Sequence, residues 1–247
     1  MVAVAFFSLP LVGILQRAEW SSIWADLTTE QARDALRLSL LCSLAAAGLS
    51  MVFGTPLAWV LARSHVPARK LVRGLVLLPM VLPPVVGGVA LLAAFSVRSP
   101  LGGWLQDTFG IQLTFTTAGA VMAETFVAMP FYVIAVEAAL RGMDQRYEQA
   151  AASLGAGRLT VFRRVTLPMI APAVASGAVL AWARALGEFG ATITFAGNIA
   201  DRTQTLPLAV YLELQSDPSA AIALSLVLLA VSLIVLVALR DRWLDRT

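Results

Sequence analysis

Nucleophilic and metal-assisted reactions need several histidine, cysteine or carboxylate groups held together, and this sequence has one histidine, His65, and one cysteine, Cys42. Cys42 sits in an apolar run, where a thiol acts as a small hydrophobe; alone it builds neither a disulfide framework nor a cysteine metal site. His65 stands in a short basic loop, where a solvated side chain is expected. No catalytic cluster follows from these residues. The charged residues that invite a chemical reading are Arg184 and Glu188, in the otherwise apolar segment Ala183-Arg184-Ala185-Leu186-Gly187-Glu188-Phe189-Gly190-Ala191-Thr192. Four apart, they share one helical face. An unpaired charge in hydrocarbon costs about 2.5–3.5 kcal/mol on insertion scales, so the two should pair with each other and face inward. Two readings stay open for the pair: a functional ionisable site, or a structural ion pair that fixes helix register.

The frame for such a pair is written in the composition. Hydrophobic residues make up 59% of the chain and charged residues 13%, with a mean hydropathy of +0.80, whereas a soluble domain is about half apolar and a quarter charged. A water-soluble fold would have to expose the surplus. The sequence pI of 9.6 does not point to nucleic acid, because the basic residues cluster beside apolar runs, as topology determinants do, with no basic stripe interleaved with aromatics.

A spanning helix takes about 20 mostly apolar residues. Six stretches are assigned as spans: 1–16, 36–62, 72–97, 115–140, 168–196 and 219–239. They predict an all-α, polytopic membrane protein, with residues 1–247 forming one transmembrane domain. Arg63, Arg69, Lys70 and Arg73 lie between the second and third spans, and Arg141, Arg146, Arg158, Arg163 and Arg164 between the fourth and fifth. The tail carries Arg240, Arg242 and Arg246, while 98–114 offers only Arg98 and 197–218 only Arg202. The positive-inside bias therefore places both termini in the cytoplasm, consistent with an even number of spans. Trp20 and Trp24 read as interfacial anchors, and Thr28-Thr29-Glu30-Gln31-Ala32-Arg33 as a capped helix start leading into the second span. The third span holds Pro79, Pro83 and Pro84, followed by Gly87-Gly88. Backbone breaks at membrane depth survive where they pack on protein or line a cavity, which makes Pro83 and Pro84 candidates for a path through the bundle.

Between the fourth and fifth spans lies a long cytoplasmic segment, 141–167, that is not low-complexity. Asp144 is placed to cap a helix on which Tyr147, Ala150, Ala151 and Leu154 recur at i, i+3, i+4 and i+7. Gly155 and Gly157 then break it. Leu159, Phe162 and Val165 repeat the pattern, and Pro168 is expected to open the next span. Two short amphipathic helices at a turn, with alanines that allow close backbone approach, suit insertion into a groove on another protein. A pair of helices resting on anionic lipid is the alternative.

The run Gln149-Ala150-Ala151, three residues, Gly155, nine residues, Val165-Thr166-Leu167-Pro168 resembles the E-A-A-x3-G-x9-I-x-L-P loop of ABC importer permeases. Gln149 stands at the family's glutamate and Val165 at its isoleucine. Glu148 is adjacent, but about 100° around the helix axis, which argues against the same contact. The resemblance implies a type I importer permease whose loop docks on an ATPase through Tyr147, Glu148, Gln149, Ala150, Ala151, Leu154, Gly155, Leu159, Phe162, Leu167 and Pro168. The segment around Arg184 and Glu188, with Phe195-Ala196-Gly197-Asn198 and Arg202-Thr203-Gln204-Thr205-Leu206-Pro207-Leu208-Ala209, is similar to the oxyanion branch of these permeases, molybdate permeases above all. Sulfate permeases share its Ala-Arg-Ala-x-Gly-Glu-Phe-Gly core. Thr125-Phe126-Val127-Ala128-Met129-Pro130-Phe131 extends the likeness to the fourth span.

By that resemblance the chain is a molybdate importer subunit, with sulfate or tungstate as the alternative cargo. It would work in a bacterial-type inner or plasma membrane as a homodimer with two ATPase subunits and an extracytoplasmic oxyanion-binding protein. The chain would carry no cofactor of its own, with ATP and Mg²⁺ on the partner ATPase. Pro83, Pro84, Arg184, Glu188 and Thr192 would line or gate the path. A secondary transporter using Glu188 and Arg184 as a proton relay is the rival from another class. Internal repeats common in such transporters are not evident in the sequence.

Overall fold

The computed structural model describes residues 1–64 and 68–244, with side chains through residue 234. His65 and the side chains of Arg240, Arg242 and Arg246 lie outside the described residues. Among those described, all regular structure is helical. In chain order the helices are α1 (Val2–Arg17), α2 (Ile23–Leu27), α3 (Glu30–Arg63), α4 (Arg69–Val81), α5 (Pro84–Phe95), α6 (Pro100–Phe109) and α7 (Thr117–Gly142). Then follow α8 (Arg146–Ser153), α9 (Arg158–Val161), a π-turn (Phe162–Thr166), α10 (Leu167–Leu186), α11 (Gly190–Phe195), α12 (Leu206–Ser216) and α13 (Pro218–Leu244).

The six apolar stretches each fall on helix. Three helices are individually long and apolar enough to cross a bilayer: α3, α7 and the continuous run Arg158–Leu186. The pair α5–α6, bent by 54°, passes the same test together, while α1 and Pro218–Ile234 are shorter apolar helices. Residues 28–33 behave as read: the Thr29 side chain accepts from Ala32 N at 3.2 Å and α3 runs on without a break from Glu30. Trp20 and Trp24 project outward.

α7 is the axis of the bundle, with α3 and α10 packed along it. Without a hydrophobic drive between helices in lipid, close approach depends on small residues. A side chain at Gly54 would come within 2.7 Å of the Tyr132 ring, and one at Gly177 within 3.1 Å of Ala135 Cβ. The shared core holds Ala46, Ala58, Leu61, Tyr132, Val133, Val136, Leu140, Ala181 and Ala185. Tyr132 is fully buried, and its hydroxyl is satisfied by Thr55 Oγ1 at 2.7 Å.

Four expectations are corrected. The span drawn as 72–97 is two helices, α4 and α5, because Pro83 and Pro84 withhold backbone donors at the joint. The span drawn as 168–196 ends at Leu186, and α11 starts a new helix after Gly187-Glu188-Phe189. The segments 98–114 and 197–218 each hold a helix, α6 and α12. Ser99 caps α6, accepting from Gly102 N at 3.0 Å, and Leu206 N donates to the buried Ser39 hydroxyl at 2.6 Å to seat α12 on α3. Finally, Pro168 does not open a separate span. The π-turn over Phe162–Thr166 joins α9 to α10, and its wider register accommodates the ring that would collide with a carbonyl four residues back.

Candidate functional site

The segment 141–167 folds locally as its residues require. Asp144 Oδ1 accepts from Arg146 N at 2.9 Å at the start of α8. The helix ends in a Schellman arrangement: Ala156 N donates to Ala151 O at 3.1 Å and Gly155 N to Ala152 O at 2.9 Å. Gly155 takes φ +85° there, a conformation that glycine adopts without penalty. On the outward face Tyr147 is 57% exposed, Leu154 89% and Leu159 62%. Gln149 and Ala150 are also exposed and Ala151 is half-buried. These apolar side chains are left uncovered by the rest of the chain, as a docking face would be. Phe162 and Leu167 are half-buried against the chain itself, while Pro168 is exposed.

Glu148 points the other way, toward the bundle. Its Oε1 accepts from Thr166 Oγ1 at 2.6 Å, and its Oε2 lies 3.4 Å from Arg63 Nη2 at the end of α3. Glu148 is half-buried, while Gln149, one position on, is exposed at the rim of the cleft beside Trp59. Nearby, Glu137, buried on α7, pairs with Arg141 at 2.5 Å and with Arg73 of α4 at 3.7 Å, and Arg141 Nη2 donates to Leu61 O at 3.4 Å. The end of α3, the start of α4 and the end of α7 with α8 therefore meet at one end of the bundle. At the other end, Thr117 Oγ1 donates to Arg202 O at 2.8 Å and Gln31 Nε2 lies 3.4 Å from Gln204 Oε1.

The second candidate region lies where the two broken spans meet. Arg184 Nη2 is 2.6 Å from Glu188 Oε2, and Ala191 N donates to Glu188 Oε1 at 2.8 Å. One carboxylate thus closes an ion pair and caps α11. Arg184 retains 27% exposure while Glu188 has 1%, so the guanidinium alone reaches toward the surface. The α5 and α11 backbones approach closely. A Cβ on Gly88 would stand 2.6 Å from Thr194 Cβ, and one on Gly190 2.8 Å from Pro84 Cβ. Pro84 is therefore brought beside the segment that carries Glu188 and Thr192. Pro83 and Pro84 are exposed; Thr192 is buried and its hydroxyl has no partner among the described residues. Sequence reasoning passed over Glu124, on α7, which is 1% exposed with Oε2 unpartnered among the described residues. It passed over Glu137 too. The signal was available, since each is an acidic residue in an apolar span.

A cleft of about 840 Å³ opens between α3, α5 and α7, lined by residues such as Leu49, Phe53, Leu91, Phe95, Val121 and Phe126. Its walls offer almost no polar group to replace the hydration of an anion, which separates it from the Arg184 region.

Residues 54–246 match the model of the family described as binding-protein-dependent transport system inner membrane component. The molybdenum transport system permease protein of Mycobacterium bovis is 47% identical over 98% of this chain and 91% of its own length. A sulfate transport system permease protein of Salmonella typhimurium is 40% identical over 92% of this chain and 82% of its own. Among solved structures, a bacterial ABC transporter involved in the import of the acidic polysaccharide alginate superposes with a TM-score of 0.74. At 20% identity it covers 98% of this chain and 91% of that one, a likeness of fold.

Proposed function

The chain belongs to the family of binding-protein-dependent transport system inner membrane components, and from that premise we propose that it is the permease subunit of an ATP-driven ABC importer of molybdate. The observation that carries the importer reading is the α8–Gly155–α9 element, whose apolar outer face has no cover within the chain. The cargo follows the 47% identity with a molybdenum permease along nearly the whole length. Sulfate is the second reading, favoured by the 40% identity with a sulfate permease.

The subunit is not itself an enzyme; ATP and Mg²⁺ act on separate ATPase subunits. Two of these would engage the docking faces of two copies of this chain, and an extracytoplasmic binding protein would deliver the anion at the end that holds α6 and α12. The exposed faces of α4 and α5 around Val81, Val85 and Val89 support pairing with a second copy across a central path. Along that path, Pro83, Pro84 and Arg184 would meet the cargo, while Glu188 and Thr192 would hold the wall behind them. Both termini would face the cytoplasm, by the positive-inside bias. A proton relay through Glu188 is disfavoured, because both of its oxygens are already engaged.

The test is reconstitution of the chain with its ATPase and binding protein in liposomes. ATP-dependent uptake of labelled molybdate, competed weakly by sulfate, is expected. Uptake driven by an ion gradient with the chain alone would refute the importer reading, and preferential sulfate uptake would refute the cargo.

A further inference from the structure

The docking helix α8 packs on the π-turn and on α9, both of which follow it in the chain. Its ionic tie to α3 is the carboxylate of Glu148. A cleft of about 290 Å³, lined by Trp59, Gln149, Ala152, Val161, Phe162 and Thr166 among others, lies between the docking segment and the end of α3. Across this region the two elements are not packed flush.

Glu148 spans the gap with both oxygens, one on Thr166 at 2.6 Å and one on Arg63 at 3.4 Å. The Arg63 side chain is only 9% exposed, and neither its Nε nor its Nη2 has a hydrogen-bond partner among the described residues, so its contact with Glu148 is an ion pair alone. A guanidinium so shielded is stabilised chiefly by the one carboxylate beside it, and reduced solvent screening strengthens that attraction. Arg63 ends α3, the helix that runs along α7 through the shared core. A displacement of α8 therefore pulls on α3 through a charged contact as well as on α10 through the peptide chain.

We propose that Glu148 is a positioning residue for coupling. Its bridge to Arg63 and Thr166 ties the docking helix to two membrane helices at once, so that ATPase movement reaches α3 and α10 together. Gln149 also borders the cleft, but its uncharged side chain makes no ion pair with α3. The inference rests on the ABC importer reading given above.

The test uses the whole importer in liposomes, with binding protein and molybdate, reading ATP hydrolysis and uptake separately. In Glu148→Gln the Thr166 hydroxyl keeps an acceptor but the ion pair is lost. ATP hydrolysis should persist while uptake per ATP falls about fivefold, the low end of measured coupling energies. Thr166→Val, which keeps the ion pair, should lower the ratio less. Arg63→Glu alone should uncouple strongly, and Arg63→Glu combined with Glu148→Arg should recover part of the ratio. A merely structural role would lower assembled complex, hydrolysis and uptake together. A wild-type ratio in Glu148→Gln and Glu148→Ala, or a charge exchange no better than Arg63→Glu alone, overturns the proposal. Should the wild-type complex itself show no ATP-coupled uptake, the importer reading falls first, and this inference with it.

Discussion

Replacing Gly155 isolates the docking turn from the rest of the fold. The residue sits at φ +85° with nothing within 4 Å of where a Cβ would project. A side chain there meets no neighbour, so the whole penalty is conformational. For a residue other than glycine the left-handed conformation costs roughly 1–2 kcal/mol, which shifts an equilibrium about five- to thirtyfold. That penalty falls on the Ala156–Ala151 and Gly155–Ala152 hydrogen bonds that close α8, and not on the core around Tyr132. Gly155→Ala should therefore reduce ATP-dependent molybdate uptake severalfold and Gly155→Val should abolish it. Gly155→Asn, which tolerates the left-handed region, should lose least. Gly157 supplies the control, having φ −68° and equally open space; Gly157→Ala should transport normally. Initial uptake rates in proteoliposomes, alongside the melting temperature and elution profile of the purified permease, make the measurement. Equal uptake by Gly155→Val and wild type, or equal losses in Gly155→Ala and Gly157→Ala, would refute the reasoning.

Other substitutions probe the bundle. Arg184→Ala strands the Glu188 carboxylate at 1% exposure and should cost about 3 kcal/mol of stability. It should lower the melting temperature in detergent more than the paired change Arg184→Met with Glu188→Gln. Gly190→Ala forces a methyl to 2.8 Å from Pro84 Cβ, an overpacking of about 1–3 kcal/mol. Gly48→Ala, with nothing within 4 Å, should leave the melting temperature unchanged or raise it. Thr55→Val removes the partner of the buried Tyr132 hydroxyl, and thermal unfolding should report a loss of about 1–3 kcal/mol.

The docking element was legible because its information is local. Asp144 at its start, apolar residues at helical spacing and Gly155 as a stop mark out α8 within a short stretch of sequence. The Arg184–Glu188 pairing followed in the same way from a spacing of four. The break after Leu186 was harder to read, because an apolar run continues through Phe189 to Phe195. There Glu188 makes the break tolerable by capping the helix that follows. The prolines at 83 and 84 announced a joint but not its partner, which depends on Gly88 and Gly190 meeting across distant sequence. The helices α6 and α12 were overlooked, although Ser99-Pro100 and Thr205-Leu206-Pro207 are recognisable helix starts. The inward turn of Glu148 was half visible: its angular offset from Gln149 excluded the outer contact, but only the fold could supply Arg63 and Thr166.

The continuity of Arg158–Leu186 has a mechanical consequence. A helical rod of 29 residues is about 43 Å long at 1.5 Å per residue. One end carries the uncovered Leu159, and the other ends at the turn that holds Glu188. Had Pro168 cut the rod, a push at the Leu159 end would be absorbed in a loose joint. The π-turn keeps it a single lever arm. Pivoted at one end, a tilt of about 5° sweeps the opposite tip through roughly 4 Å, a distance comparable with the spacing of packed side chains. Small rotations at the Leu159 end are thereby geared up where the two broken helices meet.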